Sequence, residues 1–386
     1  MAGTLKVGGN IIATHTGVEG AGEVSLTNVS LGGGAFMFRN KIINGAMQID
    51  QRNGGTSVTP TGDAYTLDRW STWVYQSSKF SVQQNAGSVT PPVGFSNYLG
   101  ITSTSAYSVP ANEGFAIIQK IEGYNVADLG WGAAGALTVT LSFWVRSSLT
   151  GTFGGAINNS AQSRSYPFNY QITLPNTWEY KTITIDGDTS GTWLTTNGTG
   201  FFVKFGLGVG SALSGTAGSW ATANYASSTG ATSVVGTSGA TFYITGVQLE
   251  IGTVATPFEH RPIGVELALC QRYYEKSFNL STAPANNTAE TTVIYSHMQS
   301  GYGYAVPIIF KERKRAAGAS TIVYNPFATT ANRAAWVASS NQAFTHSNVY
   351  SITEIGFYVL NYSSPVATPD STGNIIAFNW SAESEL

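Results

Sequence analysis

The chain has 386 residues with 19 basic and 21 acidic side chains, which gives a formal net charge of −2. That balance leaves no electrostatic case for binding nucleic acid or an anionic membrane, and the length allows two or three domains. Only 10% of the residues are charged, against about a quarter in an average soluble domain. The surface must therefore consist largely of Ser, Thr, Asn, Gln and Gly, which suits contact with glycans, a dense homo-oligomer or an extracellular particle.

The single cysteine, Cys270, excludes a framework of disulfides within the chain. Because it lies in an apolar segment, we expect a small buried side chain rather than a reactive thiol. The first residues lack the charged and apolar regions of a signal peptide, and no run of about 18 apolar residues occurs. We therefore expect neither export by a signal peptide nor insertion into a membrane.

The first 38 residues consist of short strand-like segments separated by glycines. The segments are Leu5 to Val7, Asn10 to Thr14 and Glu23 to Val29, followed by Gly32 to Gly34. A region this short cannot bury a hydrophobic face of its own. The pattern predicts a short N-terminal β arm, residues 1–38, that attaches to another chain or a larger body.

Residues 39–262 have the pattern of one all-β domain, in which apolar or alternating runs recur between Asp-Gly, Asn-Gly and Gly-Gly turn signals. The runs are Phe80 to Gln83, Phe115 to Ile121, Leu137 to Val145, Lys181 to Ile185, Phe201 to Val209 and Thr241 to Leu249. Strands at this spacing predict a jelly-roll β-sandwich. Ser211 to Gly239 is almost entirely made of small residues and is expected to be a long loop.

A strand pattern gives way to a helical pattern between residues 241 and 274. Pro257 and Pro262 break the chain, and from Ile263 apolar side chains recur at helical spacing. One stripe consists of Val265, Leu269 and Tyr273, and a second consists of Leu267, Cys270 and Tyr274. A helix that is apolar on two sides must be buried on two sides. We therefore predict a junction helix, residues 263–277, between the β domain and either a second domain or copies of the chain.

Residues 278–386 return to strand patterns and predict a second, smaller β-rich domain. The predicted strands are Thr291 to His297, Ile308 to Phe310, Ser320 to Tyr324, Ile355 to Tyr362 and Asn374 to Trp380. The charge cluster KERKR at 311–315 indicates a solvated hairpin turn or, alternatively, a basic patch for acidic glycans or phosphates. The predicted fold class is all-β: an arm, a jelly-roll sandwich, a short helix and a smaller β-rich domain.

Catalytic groups are scarce in the sequence. Its four histidines have neither paired nor metal-binding spacing; they are His15, His260, His297 and His346. Asp68 beside Arg69 and Trp70 indicates a buried ion pair. Asp186 and Asp188 indicate a tight turn first and a calcium site second. We expect no enzymatic activity and no cofactor, and we assign no residues to a metal site.

Aromatic side chains are better candidates for ligand contact. Four tryptophans lie in strand-like contexts and are predicted to pack in the core: Trp70, Trp144, Trp178 and Trp380. Six other rings lie among polar or small residues, and each is predicted to bind a glycan or to pack against a neighbouring subunit: Trp193, Trp220, Tyr225, Tyr302, Tyr304 and Trp336.

Four phrases of the sequence resemble those of bacteriophage tail-fibre and capsid-fibre proteins. They are TLKV near the N-terminus, NKIINGAMQIDQRNGGTSVTPTGDAYTLDRW at 40–70, GVQLEIGTVATPFEHRPIGVELALCQRYYEKS at 246–277 and FNWSAESEL at 378–386. The resemblance implies a homotrimeric virion protein, made in the host cytoplasm, with a jelly roll like a carbohydrate-binding module. It also implies a distal end that meets the host, which favours receptor contact for Tyr302, Tyr304 and Trp336.

The resemblance leads to three readings of function. In the first, the arm docks to other virion proteins on the tail or capsid, the C-terminal domain forms a knob that binds host polysaccharide or lipopolysaccharide, and the junction packs near a three-fold axis. The junction residues are Val265, Leu269, Cys270, Tyr273 and Tyr274. In the second, the chain is a structural tail adaptor, baseplate or capsid-decoration part with a vestigial glycan-binding fold. The third is a depolymerising tailspike, although the long β-helix repeats of such enzymes are missing.

Overall fold

A computed structural model of the chain describes residues 3–7, 10–15, 38–288, 294–298, 304–327, 329, 335–337, 341–343, 347–361 and 374–386. The chain divides into two compact units, Met1–Arg39 and Asn40–Leu386. In the first unit, strands β1 (Gly3–Val7) and β2 (Asn10–His15) pair antiparallel. Two of the predicted arm strands are thereby confirmed, and the third, Glu23 to Val29, lies outside the described residues.

The second unit begins with a β-sandwich. Its strands are β3 (Tyr65–Leu67), β4 (Trp70–Val74), β5 (Phe80–Gln84), β6 (Leu99–Ser103), β7 (Gly114–Glu122), β8 (Val139–Ser147), β9 (Gly151–Asn159), β10 (Ser165–Ile172), β11 (Glu179–Ile185), β12 (Thr199–Val209), β13 (Ser214–Gly215), β14 (Ser227–Ser228) and β15 (Thr241–Ile251). Short 3-10 turns cover Ala86–Ser88, Gly123–Asn125, Ala127–Leu129 and Ser211–Leu213.

The sandwich consists of two antiparallel sheets. One has six strands in the order β10-β9-β12-β7-β4-β3, and the other has five in the order β11-β8-β15-β6-β5. Side chains that alternate along the strands meet between the sheets, and the largest fully buried ones include Trp70, Phe115, Phe143, Phe205 and Phe242. The predicted jelly-roll type of sandwich is confirmed, and its core lies between these two inner faces.

The junction helix α1 (Ile263–Gln271) is shorter than predicted. Arg272 still has helical backbone angles, but Tyr273 makes a turn back to the carbonyl of Cys270 and Tyr274 opens the next strand. The predicted extension of the helix to residue 277 is therefore wrong, because the chain after Gln271 pairs with a strand instead.

The junction residues are buried to different degrees. Cys270, Tyr273 and Tyr274 are buried, whereas Val265 and Leu269 are partly exposed. Cys270 and Tyr273 pack with Ile43 and Ile49, which precede the sandwich, and Leu267, Leu269 and Leu386 pack against that cluster. The helix is thus held within its own chain from two directions, and its burial against copies of the chain stays a prediction.

The remaining strands form a smaller β-rich region. They are β16 (Tyr274–Lys276), β17 (Ile294–Met298), β18 (Tyr304–Ile309), β19 (Ser320–Tyr324), β20 (Ala335–Val337), β21 (Asn341–Ala343), β22 (Ser347–Tyr350), β23 (Gly356–Asn361) and β24 (Asn374–Glu383). Strand β24 pairs with β16, β17, β19 and β20, while β18, β23 and β22 form a separate sheet. Phe310, Phe357, Phe378 and Trp380 are in its core.

This region and the sandwich belong to one compact unit. The predicted boundaries at residues 262 and 277 therefore stay predictions. None of the helices in the described part of the chain is long and apolar enough to cross a membrane.

Two predictions about charged residues are wrong. Asp68 and Arg69 are each 1% exposed, but Arg69 pairs with Glu385, and Asp68 accepts hydrogen bonds from Gln51 instead. Because the pair lies on a turn between strands, adjacent side chains reach different partners.

The KERKR run is also not a solvated hairpin turn. Lys314 is completely buried and pairs with Glu275. Arg315 donates to the carbonyls of Asn197, Ser384 and Glu385. The run connects parts of the fold, because its cations meet carboxylate and carbonyl oxygens that the chain brings from distant positions.

Candidate functional site

The six-stranded sheet has a core face and an outer face, and strand β12 shows how the sequence produces both. Phe201, Val203 and Phe205 alternate along β12 and are buried in the core. Phe202 and Lys204 lie between them and face the other way, because successive side chains of a strand point to opposite faces.

The register of the sheet brings side chains of three strands together on the outer face. Lys204 of β12 lies opposite Ile118 of β7, and Ile118 lies opposite Ser71 of β4. Phe202 lies opposite Lys120. Strand pairing thus gathers rings, hydroxyls and ammonium groups from distant parts of the sequence on one surface.

These side chains line an open groove with a volume of about 320 Å³. We call it the β12 groove, and its chemically distinctive residues are Asp63, Tyr65, Ser71, Trp73, Lys120, Gln162, Phe202 and Lys204. It combines three aromatic rings with amide, hydroxyl, ammonium and carboxylate groups. Among the described residues, no group of three or more His, Cys, Asp or Glu side chains is placed to hold a metal.

Trp73 provides the largest ring of the groove and is partly exposed. A Cβ atom on Gly114 would come within 2.5 Å of the Trp73 ring, so the absence of a side chain there allows the indole to lie against β7. Tyr75 packs edge-on against Trp73 with ring centroids 5.4 Å apart, and it is 49% exposed. The aromatic surface therefore continues beyond the groove.

Lys204 is only 2% exposed although it lies on the outer face. Its Nζ atom donates a hydrogen bond of 2.9 Å to Oε1 of Gln162. The same atom lies 5.5 Å from the Trp73 ring centroid and 5.4 Å from that of Phe202, within range of cation–π attraction. Burial lowers the pKa of Lys204 to about 8.

Gln162 lies in the turn between β9 and β10, where its φ of 52° is left-handed. Oδ1 of Asn159 fixes this turn by accepting hydrogen bonds from the backbone N–H groups of Ser163 and Arg164. Arg164 also forms two hydrogen bonds of 2.7 Å with the carboxylate of Asp188. The turn is thus held on both sides and sets the position of Gln162 beside Lys204.

The other end of the groove borders the C-terminal residue of the chain. Lys120 Nζ and the Tyr65 hydroxyl both donate to the backbone oxygen of Leu386, the second at 3.1 Å. Burial lowers the pKa of Lys120. Asp63 accepts the backbone N–H of Val74 at 2.7 Å. Among the described residues, the charged groups that line the groove are Lys120, Lys204 and Asp63.

The loop of small residues covers a different part of the outer face and contains Tyr225. Asn158 of β9 donates to the carbonyl of Tyr225, and the Tyr225 ring lies where a side chain on Gly215 would be. Ser227 lies against Gly154 of β9. Tyr225 therefore packs within its own loop and outside the lining of the β12 groove, and a glycan contact for it stays a prediction.

Trp193 and Trp220 lie together with Trp131 at one end of the sandwich. The three pairs of ring centroids are 4.8 to 5.4 Å apart. Each indole N–H donates to a backbone carbonyl: that of Trp131 to Leu137, that of Trp193 to Ser190 and that of Trp220 to Asp186. Their sequence neighbours are polar, but in space they pack on the core of their own chain. Their predicted glycan contact is not tested and stays a prediction.

The distal aromatic residues are only partly described. Tyr302 lies outside the described residues, and for Tyr304 and Trp336 only their positions in strands β18 and β20 are described. Receptor contact by these three residues stays a prediction.

Two of the four tryptophans predicted for the core are buried, Trp70 and Trp380. The prediction is wrong for Trp144 and Trp178, which are partly exposed. On β8 the alternation that buries Phe143 turns Trp144 outward. For Trp144 the apolar neighbours in the sequence were therefore a poor guide, because they lie on the opposite face of the strand.

The residues of the β12 groove are not among those that the sequence pattern singles out. The available signal was Lys204, a lysine between Val203 and Phe205 in an otherwise apolar strand. A lysine in such a position faces outward or requires a partner, because lysine is rarely buried alone. Trp73 and Gln162 carry no comparable signal, since only pairing of the strands brings them to Lys204.

No protein-family model matches the sequence, and comparison with curated proteins finds no similar sequence. Several solved structures are similar to part of this chain at low identity. The enzymatically active domain of bacteriophage CBA120 tailspike protein 4 is 12% identical with a TM-score of 0.30, over 55% of this chain and 22% of that chain. The N-terminal cellulose-binding domain of Cellulomonas fimi β-1,4-glucanase C is 11% identical with a TM-score of 0.27, over 53% of this chain and 99% of that domain.

The family 11 carbohydrate-binding module from Clostridium thermocellum is 13% identical with a TM-score of 0.25, over 51% of this chain and 96% of that module. This chain spans about a fifth of the length of the tailspike domain. Similarities of this size carry no argument about function, which therefore rests on the residues of the groove.

Proposed function

We propose that this chain is a glycan-binding fibre protein of a bacteriophage virion and that the β12 groove binds the glycan. The observation that carries this proposal is the set of rings Tyr65, Trp73 and Phe202 beside the polar side chains of Gln162 and Ser71. Aromatic faces pack on the C–H faces of sugar rings, while amides and hydroxyls bond to sugar hydroxyls. The groove is open at the surface, which suits a short segment of a longer polysaccharide.

The phage setting is supported by the four sequence phrases that resemble fibre proteins. In this setting the arm of residues 1–38 docks to other virion proteins, and the protein acts at the surface of the tail or capsid. The ligand is then a host surface polysaccharide or lipopolysaccharide, and the chain contributes to adsorption.

We also propose that the groove binds its glycan without hydrolysing it. Glycoside hydrolysis commonly needs two carboxyl groups about 5 to 10 Å apart. In the described part of the chain, Asp63 is the one acidic side chain that lines the groove. Release of reducing sugar ends from a bound polysaccharide would contradict this part of the proposal.

The glycan proposal is tested with the full chain on an array of bacterial surface polysaccharides, followed by calorimetry on the positive members. Replacement of the groove ring in Trp73→Ala is expected to weaken binding about tenfold, the effect of losing one aromatic contact. Trp144→Ala is the matched control, because Trp144 is a partly exposed tryptophan on the other sheet.

If Trp73→Ala and Trp144→Ala lose equal affinity, the glycan does not bind in the β12 groove. If the native chain binds no polysaccharide, the glycan proposal fails and a structural virion role, such as a tail adaptor, baseplate or capsid-decoration part, is favoured. Contacts with other virion proteins along the sandwich would support that second role.

The homotrimer is a further part of the proposal, supported by the partly exposed apolar residues Val265 and Leu269 on α1. Ile263 at the start of the helix is 53% exposed. Mass photometry is expected to show three times the chain mass of 40.7 kDa. A stable monomer at nanomolar concentration would exclude the trimer.

A further inference from the structure

We propose that the β12 groove selects an acidic sugar, whose anionic group, a carboxylate or a sulfate, pairs with Lys204. This inference rests on the glycan-binding function proposed for the same groove, and it adds the chemical class of the sugar. The evidence is the burial of Lys204, the lack of a carboxylate beside it among the described residues, and the charge of the groove.

Lys204 is buried without a neutralising partner in the described part of the chain. Its Nζ atom has one hydrogen-bond acceptor, Oε1 of Gln162, at 2.9 Å. An amide oxygen carries no net charge, and the other close groups are the rings of Trp73 and Phe202. An ammonium group has three donors, so the site provides the ammonium with less than a full set of acceptors.

Two other buried cations of this chain, Lys314 and Arg69, have carboxylate partners. Lys314, which is completely buried, pairs with the buried carboxylate of Glu275 at 2.5 Å. Arg69 pairs with Glu385, again with both side chains buried. Both of these cations have a carboxylate partner within the chain. Among the described residues no carboxylate pairs with Lys204, which points to a partner from outside the chain.

The chemistry of the site fits an anion on a sugar. A charge buried at low dielectric is strongly destabilised unless an opposite charge lies close to it. A carboxylate or sulfate in the groove would accept hydrogen bonds from the ammonium. The sugar ring that carries this group can lie against Trp73 or Phe202, since both rings are close to the same nitrogen atom.

The groove lining as a whole is positively charged, as Lys204 is. Lys204 and Lys120 are its cations, and Asp63 is its one carboxylate in the described part of the chain. The hydrogen bond from the backbone N–H of Val74 leaves Asp63 charged, so the two lysines exceed it by one positive charge. The remaining positive charge favours an anionic over a neutral ligand and disfavours a cationic one.

The test compares acidic oligosaccharides with neutral counterparts on the full chain. One arm of the array carries uronic and nonulosonic acids beside the same oligosaccharides after carboxyl reduction, and the other carries sulfated oligosaccharides beside their desulfated forms. Affinities are measured by calorimetry for the native chain, for Lys204→Met and for Lys311→Met, which alters an exposed lysine outside the groove.

The native chain is expected to prefer the acidic member of a pair about tenfold or more. Lys204→Met is expected to weaken acidic binding about ten- to a hundredfold, the range for losing one charge-assisted hydrogen bond, and so to remove the preference for the acidic member of a pair. Lys311→Met is expected to bind like the native chain. Circular dichroism of the Lys204→Met variant shows whether it remains folded, which is expected because no carboxylate is left unpaired.

Two outcomes would overturn the inference, and a third would refine it. Equal binding of acidic and neutral members, or acidic binding that survives Lys204→Met, excludes selection by Lys204 but leaves the glycan function intact. Failure of every member to bind overturns both this inference and the proposed function. Binding confined to the carboxylate arm or to the sulfate arm identifies which anionic group the groove accepts.

Discussion

Lys204 and Gln162 meet on the outer face of the six-stranded sheet, where Nζ of the lysine donates to Oε1 of the amide at 2.9 Å. The bond satisfies one donor but neutralises no charge. Burial consequently lowers the pKa of Lys204 from 10.5 to about 8. The fold therefore holds an ammonium group that destabilises it at neutral pH, as expected of a residue kept for binding.

Lys204→Met is accordingly expected to stabilise the chain at pH 7. A fall in pKa from 10.5 to about 8 corresponds to roughly 3 kcal/mol, which is the upper limit of the gain. The free energy of unfolding in urea measures it. A loss of stability would show that the ammonium has a structural partner.

Lys314→Met is the matched control because Lys314 is equally buried but pairs with Glu275. Its removal leaves a buried carboxylate without a counter-charge, which costs about 3 to 5 kcal/mol. We therefore expect the free energy of unfolding to rise in Lys204→Met and to fall in Lys314→Met.

Affinity for an acidic sugar is expected to fall as the pH rises above about 8, where Lys204 loses its proton. The sign follows because the protonated lysine attracts the anion and the neutral amine does not. Below that pH the affinity should be constant as far as Lys204 is concerned. Calorimetry between pH 6 and pH 10 measures the profile.

Other titratable groups face the same groove, namely Lys120, Asp63 and Tyr65. Burial lowers the pKa of Lys120 and raises that of Tyr65. The Lys204→Met variant separates these contributions, since it should lose the step near pH 8 and keep any step due to the other groups. An unchanged profile would assign the dependence to Lys120 or Tyr65.

Glu122→Gln is expected to destabilise the chain by about 3 kcal/mol, because it removes one partner of a largely buried ion pair. Glu122, at the end of β7, accepts from Arg272 at 2.6 and 2.9 Å and from the Tyr273 hydroxyl at 2.6 Å. Glu383→Gln is the control, since the Glu383 side chain is 40% exposed and surface pairs contribute less than about 1 kcal/mol. Similar effects in urea unfolding would show that the Glu122 cluster is not needed to join the sandwich to the junction.

Asp68 is expected to make the native chain relatively more stable in mild acid. Burial raises the pKa of Asp68 from 3.8 to about 6, against the opposing effects of Arg52 and Gln51. Because the folded carboxyl binds its proton more tightly than the unfolded one, its contribution to stability rises as the pH falls from 6 to 4.

Asp68→Asn cannot titrate and therefore serves as the reference. Relative to this variant, the native chain is expected to gain about 2 kcal/mol of unfolding free energy between pH 7 and pH 4. The comparison uses urea unfolding at several pH values. A constant difference between the two proteins across that range would exclude the raised pKa.

Strands with a regular alternation could be predicted from the sequence. The predicted run Phe115 to Ile121 corresponds to β7, and Leu137 to Val145 corresponds to most of β8. Thr241 to Leu249 lies within β15. In each of these strands local residues decide the structure, because β-branched and aromatic side chains favour the extended backbone and alternate between the core and the outer face.

Strand β9 was not predicted, because Gly154 and Gly155 interrupt its pattern. Both glycines are required by neighbours from elsewhere in the chain. A Cβ atom on Gly154 would collide with Ser227, and one on Gly155 would collide with Phe168. Both close packing and a turn can require glycine, and the sequence alone does not show which of the two applies.

The candidate site was beyond sequence reasoning for a similar reason. Lys204 is unusual because no carboxylate of the described residues pairs with it. Asp68 and Arg69, which are neighbours in the sequence, have separate partners in Gln51 and Glu385. Such pairings depend on contacts across most of the chain. Neither composition nor spacing predicts which buried charge is left without a counter-charge.

The central place of β24 in the C-terminal region has a consequence for synthesis on the ribosome. Its partner strands β16, β17, β19 and β20 all precede it in the sequence. They leave the ribosome before residues 374–383 exist, and their unpaired edges can then associate with other nascent chains. A chain translated in many copies from one messenger RNA would thus be most open to misassembly in this region, in the interval before β24 is translated.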